Sequence, residues 1–129
     1  MRCLDSDFLV ETLRGNIEIK EMKTNIYHEK LFTTSINAYE ILYGARTSEK
    51  NKENMIEAKK LLSSLSILDF DEKAADVSSK IDVELTRKGL KIDLKDILIA
   101  SICIANDVPL MTRNTSHFSR ISDLKAERW

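Results

Sequence analysis

Four oxygen-bearing side chains stand out by type and by where they fall: Asp5, Glu40, Asp96 and Asn114. Asp5 follows a short apolar entry, Arg2-Cys3-Leu4. Glu40 follows the aromatic and β-branched run Leu31-Phe32-Thr33-Thr34. Asp96 sits in the first turn of an apolar helix, where the helix dipole favours a carboxylate. Asn114 ends the polar corner Thr112-Arg113-Asn114, just after Val108-Pro109-Leu110-Met111. Acids held close raise one another's pKa, so a convergent cluster is costly without a cation. The donors are all hard oxygens, and neither His28 nor His117 has a histidine or cysteine partner at metal-ligand spacing. Mg²⁺ or Mn²⁺ therefore suits the set better than zinc. One or two such ions can activate water and stabilise the charge developing in phosphodiester hydrolysis, with no nucleophilic side chain required.

Each residue also has a local reading. Asp5 in Asp-Ser-Asp is a good helix N-cap. Glu40 completes an Asn37-x-x-Glu40 variant of the capping box. Asp96 complements the dipole, or serves as the N3 partner of an Asp93 cap, and Asn114 is a common turn residue.

Convergence depends on the elements that carry these residues. The chain is organised around Lys91–Phe118, read as a buried helix (Ile97 to Ala105), a turn at Asn106-Asp107, a short strand and a polar corner. Earlier, Arg2–Leu4 reads as a strand, and Phe8, Leu9, Val10 and Leu13 recur at helical spacing up to Gly15. Asn16–Lys30 carries a weak helical stripe through Ile17, Ile19, Met22 and Ile26. Leu31–Thr34 is the second strand. A helix then starts at Ser35 or Asn37 and ends at Gly44. Glu49–Ser64 is amphipathic, with Met55, Ile56, Ala58, Leu61 and Leu62 facing inward. Leu65–Phe70 is the third strand, and Asp71 caps a helix through Ala74, Ala75, Val77, Ile81 and Leu85 to Gly89. A short turn and an edge strand near Lys125–Trp129 follow Phe118. Strands separated by helices predict an α/β fold with a mostly parallel sheet covered on both faces. In such folds sites gather beyond the carboxyl ends of the strands, where these acids fall.

The 129 residues, 43% hydrophobic and 32% charged, suit one domain with a single sizeable core. A formal charge of −1 carries no global field for nucleic acid. Cys3 and Cys103 fall in apolar runs and read as buried free thiols. With no signal-like opening, the expected compartment is the cytoplasm. No apolar run approaches the ~20 residues of a membrane span.

Leu4-Asp5-Ser6-Asp7-Phe8-Leu9, Ser35…Tyr39-Glu40-Ile41…Gly44, Asp96-Ile97-Leu98-Ile99-Ala100 and Thr112-Arg113-Asn114…His117-Phe118 stand in the order and spacing of PIN-domain ribonucleases. Across essentially its whole length (residues 1–129) the chain resembles the VapC toxins of prokaryotic toxin–antitoxin pairs. That resemblance implies a PIN-like three-layer α/β/α sandwich, a homodimer, and Mg²⁺- or Mn²⁺-dependent endoribonuclease activity. It also implies a VapB-like antitoxin whose tail blocks the cleft. By position, Asp5, Glu40 and Asp96 match the three acids of the family, with Asp5 and Asp96 as metal ligands. Ser6 and Thr112 match hydroxyl positions that support the acids and the metal. The chain departs from the pattern at Asn114, where the fourth acid is often Asp, at His117, where some members carry Asp, and at Asp7, where Asn is common. These departures make one metal more secure than two. Arg46, Lys95, Arg113 and Arg120 lie near the motif corners, and Arg113 is the expected RNA contact. Two other functions compete. One is a receiver-like phosphoacceptor domain, for which Asp69 or Asp71 would follow strand three but the Lys-Pro corner is missing. The other is a PIN-like fold that binds RNA or a partner with weakened catalysis.

Overall fold

The protein is described by a computed structural model, which defines residues 1–16, 21, 26 and 28–129. Most of the stripe expected at Asn16–Lys30 lies outside the described residues, although Ile26 is buried. The elements are β1 (Arg2–Leu4), α1 (Ser6–Leu13), β2 (Leu31–Thr34), α2 (Ser35–Thr47), α3 (Asn51–Ser63) and β3 (Ser66–Leu68). They continue as α4 (Glu72–Arg87), α5 (Leu94–Ala105), β4 (Leu110–Thr112), α6 (Thr115–Phe118) and β5 (Ala126–Arg128). The strands form one sheet in the order β3-β2-β1-β4-β5, with every described pairing parallel.

Alternation along the central strands divides the core in two. Cys3 and Leu110 face α4, α5 and α6, joining Ile81, Leu85, Ile97, Ile99, Ala100, Cys103 and Phe118. Leu4 and Met111, one residue further on, face α1, α2 and α3, joining Phe8, Leu9, Ile41, Ala45, Ala58 and Leu61. This two-sided cover is the three-layer α/β/α sandwich expected from the sequence, and it follows from the two-residue period of a strand. Helix α5 is apolar almost all round because it is packed on most sides. Ile97, Ile99, Ala100, Ile102 and Cys103 are at most 1% exposed, and each large side chain so buried stabilises by about 1.5–3 kcal/mol.

Two joins between strand and helix have almost no length. Asp5 alone separates β1 from α1, and β2 runs directly into α2. At the first, Asp5 is extended (φ −74°, ψ 163°) and accepts from the Ser6 N–H as the N-cap. At the second, Thr34 caps α2 in a reciprocal capping box with Asn37. The box is therefore Thr34-x-x-Asn37, not Asn37-x-x-Glu40, and Glu40 is free of capping duty. Asp93 caps α5 and Asp71 caps α4, as expected.

Three details differ from the sequence reading. Gly44 does not end α2, which continues to Thr47 because Ala45 is still needed in the core. Ile56 is 66% exposed and Ala75 is also on the surface, since α3 and α4 are buried along narrower stripes than their apolar content suggests. Strand β3 is shorter than Leu65–Phe70 and lies at the exposed edge of the sheet.

The two glycines predict opposite responses to alanine. Gly44 is mid-helix, has no positive φ, and a Cβ there meets nothing within 4 Å. Gly44→Ala should raise stability by about 0.5–1 kcal/mol. Gly15 sits at φ +74° after α1, so Gly15→Ala should cost about 1 kcal/mol. Urea denaturation of the two variants checks the pair. A loss in Gly44→Ala would mean that the glycine is needed for close approach.

Candidate active site

The strand order reverses between β1 and β4, which are neighbours in the sheet but lead to opposite sides of it. Such a switch point opens a crevice beyond the strands' carboxyl ends. Asp5 leaves β1 and Thr112-Arg113-Asn114 leaves β4 at that crevice, while α2 and α5 bring Glu40 and Asp96 to it.

A nearly closed ring of polar contacts links these residues. Asp5, 7% exposed, accepts at Oδ1 from the Ser6 N–H (2.8 Å) and from Asn37 Nδ2 (2.9 Å). Its Oδ2 accepts from the Thr112 hydroxyl at 2.6 Å. The Asn37 amide also donates to Ser6 Oγ at 2.8 Å, and that hydroxyl donates to Glu40 Oε1 at 2.9 Å. On the other side, the Asn114 N–H donates to Thr112 Oγ1 at 3.0 Å. The Asn114 Nδ2 lies 3.0 Å from His117 Nδ1, which lies 3.4 Å from Asp96 Oδ2. His117 Nδ1 serves one of these two contacts at a time, donating to Asp96 as an N–H or accepting from Asn114 through its lone pair. Among the described residues no hydrogen bond crosses the span from Asp96 to Glu40, where the Glu40 charge is one of the groups acting on Asp96. Lys95 Nζ stands 3.6 Å from Glu40 Oε2.

All four expected site residues therefore come together, with Ser6 and Thr112 in supporting places. Arg113 lies at the same corner but stands exposed. Asn37 and Asp7 are the residues whose roles the sequence reading missed. Asn37 is fully buried and spends its amide on the acid site and its Oδ1 on Thr34 (Oγ1 at 2.6 Å). The signal was Thr34-x-x-Asn37 itself, since an amide at N3 has donors to spare that a carboxylate lacks. Asp7 receives the Arg113 N–H at 2.8 Å and so holds the β4 corner to α1.

Burial pushes the Asp5 carboxyl from 3.8 up to about 6; the Thr112 hydrogen bond opposes this and the charge of Asp7 adds to it. Burial also raises Asp96, countered by the hydrogen bond from His117 and reinforced by the charges of Asp93 and Glu40. Both acids are thus held where a positive charge would relieve them. Asp5 uses three of roughly four lone-pair directions, which leaves one on Oδ2. Among the described residues, no three His, Cys, Asp or Glu side chains are gathered closely enough to enclose a metal by themselves. A cage of that kind is foreign to Mg²⁺, which keeps several waters and is taken up through one or two carboxylates. The donor set fits a hard, hydrated divalent cation.

Because the folded-state pKa of Asp5 lies above its unfolded value, the native protein keeps a proton that the unfolded chain releases. Asp5 therefore lowers stability as pH rises from about 4 through about 6. In metal-free protein, the stability advantage of Asp5→Asn over wild type should grow by on the order of 3 kcal/mol between pH 4 and pH 7. Urea titrations in EDTA at the two pH values measure it. A constant difference would show that the carboxylate is not held at a cost.

Residues 2–124 match the PIN domain. The chain is 38% identical over 96 residues to Ribonuclease VapC2 of Rickettsia felis, covering 74% of this chain and 72% of that protein. It is 29% identical over 126 residues to the tRNA(fMet)-specific endonuclease VapC of Salmonella typhimurium, covering 98% and 96%. Among solved structures, VapBC2 from Rickettsia felis, bound to a DNA fragment from its promoter, superposes with a TM-score of 0.93 at 30% identity over 99% of this chain and 98% of that one. DNA-bound VapBC from Salmonella typhimurium gives 0.92 at 29% identity over 100% and 99%. With its acids assembled at the switch point of a parallel sheet, the chain belongs to the PIN-domain family and, within it, to the VapC ribonucleases.

Proposed function

We propose that this protein is a Mg²⁺- or Mn²⁺-dependent endoribonuclease, the toxin of a VapBC-type pair, restrained by a VapB-like antitoxin and acting as a homodimer in the cytoplasm. One observation carries the reading: Asp5, Glu40 and Asp96 are drawn from three distant stretches into one polar ring, two of them with raised pKa. Structural acids would be paired with permanent cations, whereas here, among the described residues, Glu40 has only the exposed Lys95 at 3.6 Å and Asp96 only the imidazole of His117. Asp5 and Asp96 would hold the cation. When bound, it lowers the pKa of water and neutralises charge on a phosphodiester.

The chain's own residues do the positioning. Thr112, Asn37 and the Ser6 N–H fix the Asp5 carboxylate from three directions. Ser6 aims Glu40, and His117 fixes Asp96. Asn114 occupies the fourth position as a neutral side chain, so one ion is the expected complement. Both the Salmonella typhimurium and the Shigella flexneri relatives are named tRNA(fMet)-specific, which makes tRNA the first substrate to try. Between α1, α2 and α3 a groove is lined by Val10, Leu13, Ile41 and Ala45 together with Arg14, Glu40, Asn54 and Glu57. It suits an amphipathic antitoxin segment lying beside Glu40. Tyr39 and Tyr43 stack on one another at 6.0 Å and are 58% and 59% exposed, a surface for a second copy. The neutral Asn114 also favours a second reading, an RNA- or partner-binding fold with little turnover.

The test is cleavage of total tRNA and of a mixed RNA pool with Mg²⁺ or Mn²⁺, beside EDTA and Asp96→Asn. Cutting should vanish in EDTA, and Asp96→Asn should lose at least ~10²-fold, in line with the loss of a main electrostatic contributor. Cutting that persists in Asp96→Asn would sink the assignment of the site. Mn²⁺ binding by calorimetry with no cutting of either RNA would favour the second reading.

A further inference from the structure

Arg113 stands between Thr112 and Asn114, at the rim of the acid site, and is held at three points. Its N–H donates to Asp7 Oδ2 at 2.8 Å, and its carbonyl accepts from Arg128 Nη1 at 3.2 Å. Its guanidinium lies over the indole of Trp129, 3.7 Å from the ring centroid. The ring is fixed in turn. It meets Phe8 edge-on, with centroids 5.3 Å apart and planes at 87°, and its N–H reaches Asp7 Oδ1 at 3.4 Å. Phe8 is fully buried, so the platform under Arg113 is anchored in the core, and Asp7 ties the arginine backbone and the indole to the same point.

A guanidinium stacked on an aromatic face commits its plane and keeps its fork of N–H donors. Among the described residues, those donors make no hydrogen bond and no ion pair, although Asp7 and Glu11 are close. Glu11 is held below the usual carboxylate range mainly by Asn16, with the Arg113 charge a lesser contributor. The other cations near the site, among the described residues, are engaged. Lys95 is beside Glu40, Arg120 donates to the carbonyls of Leu90 and Lys91 at 3.4 Å, and Arg128 is spent on Arg113 and Thr115. Arg46 lies away from this corner, along α2 and α3 with Lys52 and Lys59.

An acidic crevice repels a polyanion, and a loose arginine beside it would fold onto a carboxylate. We propose that Arg113 is the preset phosphate-binding residue of this site and that Trp129 is its positioning residue, holding the guanidinium off the acids with its donors outward. The proposal rests on the RNA-cleaving reading and specifies where the strand is gripped: one phosphate, recognised by charge and fork geometry, beside the corner that carries Asn114. Because the side chain is ordered before substrate arrives, less freedom is lost on binding.

Trp129 is the single tryptophan of the chain, so it reports on its own contact. The experiment uses a short fluorescein-labelled single-stranded RNA of mixed sequence, in EDTA so that it is not cut, with wild type, Arg113→Ala, Trp129→Leu and Trp129→Phe. Indole emission should change on RNA addition to wild type and much less so in Arg113→Ala. Arg113→Ala should weaken binding about tenfold and reduce the slope of log affinity against log salt by about 0.7, the loss of one single-strand phosphate contact. Trp129→Leu should weaken binding in the same direction, Trp129→Phe should restore most of it, and the Arg113→Ala/Trp129→Leu double variant should be no worse than Arg113→Ala. In cleavage assays with Mn²⁺, the single variants should raise KM more than they lower kcat. Wild-type binding with an unchanged salt slope in Arg113→Ala would overturn this proposal and leave the nuclease standing. Failure of wild type to bind or cut RNA would overturn the reading on which it rests.

Discussion

Everything at the candidate site depends on a buried carboxylate. Asp5 leaves the central strand of the sheet with almost no exposure, and water cannot do for it what it does for a surface acid. The protein supplies the missing solvation itself, through one backbone N–H, one amide and one hydroxyl. Those donors come from α1, α2 and β4, so the four elements that meet at Asp5 must meet in one arrangement. The compensation is incomplete, as the raised pKa records. That unrelieved charge is what a cation or a proton would complete, and the proposed chemistry rests on it.

The second half of the ring is built differently. Asp96 is half-buried at the head of α5, beside Asp93 and within the field of Glu40, and it leans on His117. In this chain the fourth corner is an amide and an imidazole instead of carboxylates. Repulsion within the site is therefore smaller than a fully acidic corner would give, and less positive charge is needed to balance it. The neutral corner also lets Arg113 sit one residue away without being captured.

The sandwich and the places of Asp5 and Asp96 were legible because they rest on strong local patterns, whereas Glu40 was placed by its position after the second strand and its local pattern was misread as a cap. Asp-Ser-Asp before Phe8-Leu9 marks a strand-to-helix corner, and Ile97–Ala105 reads as buried from any angle. The same rules misread Gly44, since a glycine at the end of an apolar stripe looks like a stop. In α2, packing of Ala45 outweighs the propensity cost of carrying the helix through it. Ile56 reads as core by period alone, because nothing in a single helix says how wide a neighbour will cover it. Asn37 and Trp129 were hidden for another reason. Their partners are 32 and 122 residues away in sequence; Thr34-x-x-Asn37 marks an amide with donors to spare, but it does not say where those donors will be needed, and nothing local marks the indole N–H.

The near-absence of chain between β1 and α1, and between β2 and α2, sets how the molecule can change length. An extra residue beside Asp5 would turn α1 by about 100°, swinging Phe8 and Leu9 out of the core and Asp7 away from the Thr112-Arg113 corner. One extra residue after Thr34 would do the same to Asn37, Glu40 and Ile41. Neither joint can absorb the error, because each is already a cap. The turn around Gly89, where φ is already positive, and the stretch between α6 and β5 carry no such duty. Insertions and deletions in descendants of this chain should collect there, leaving Asp5 the same number of residues from Phe8 and Leu9, and Thr34 the same number from Asn37 and Glu40, while the rest of the molecule drifts.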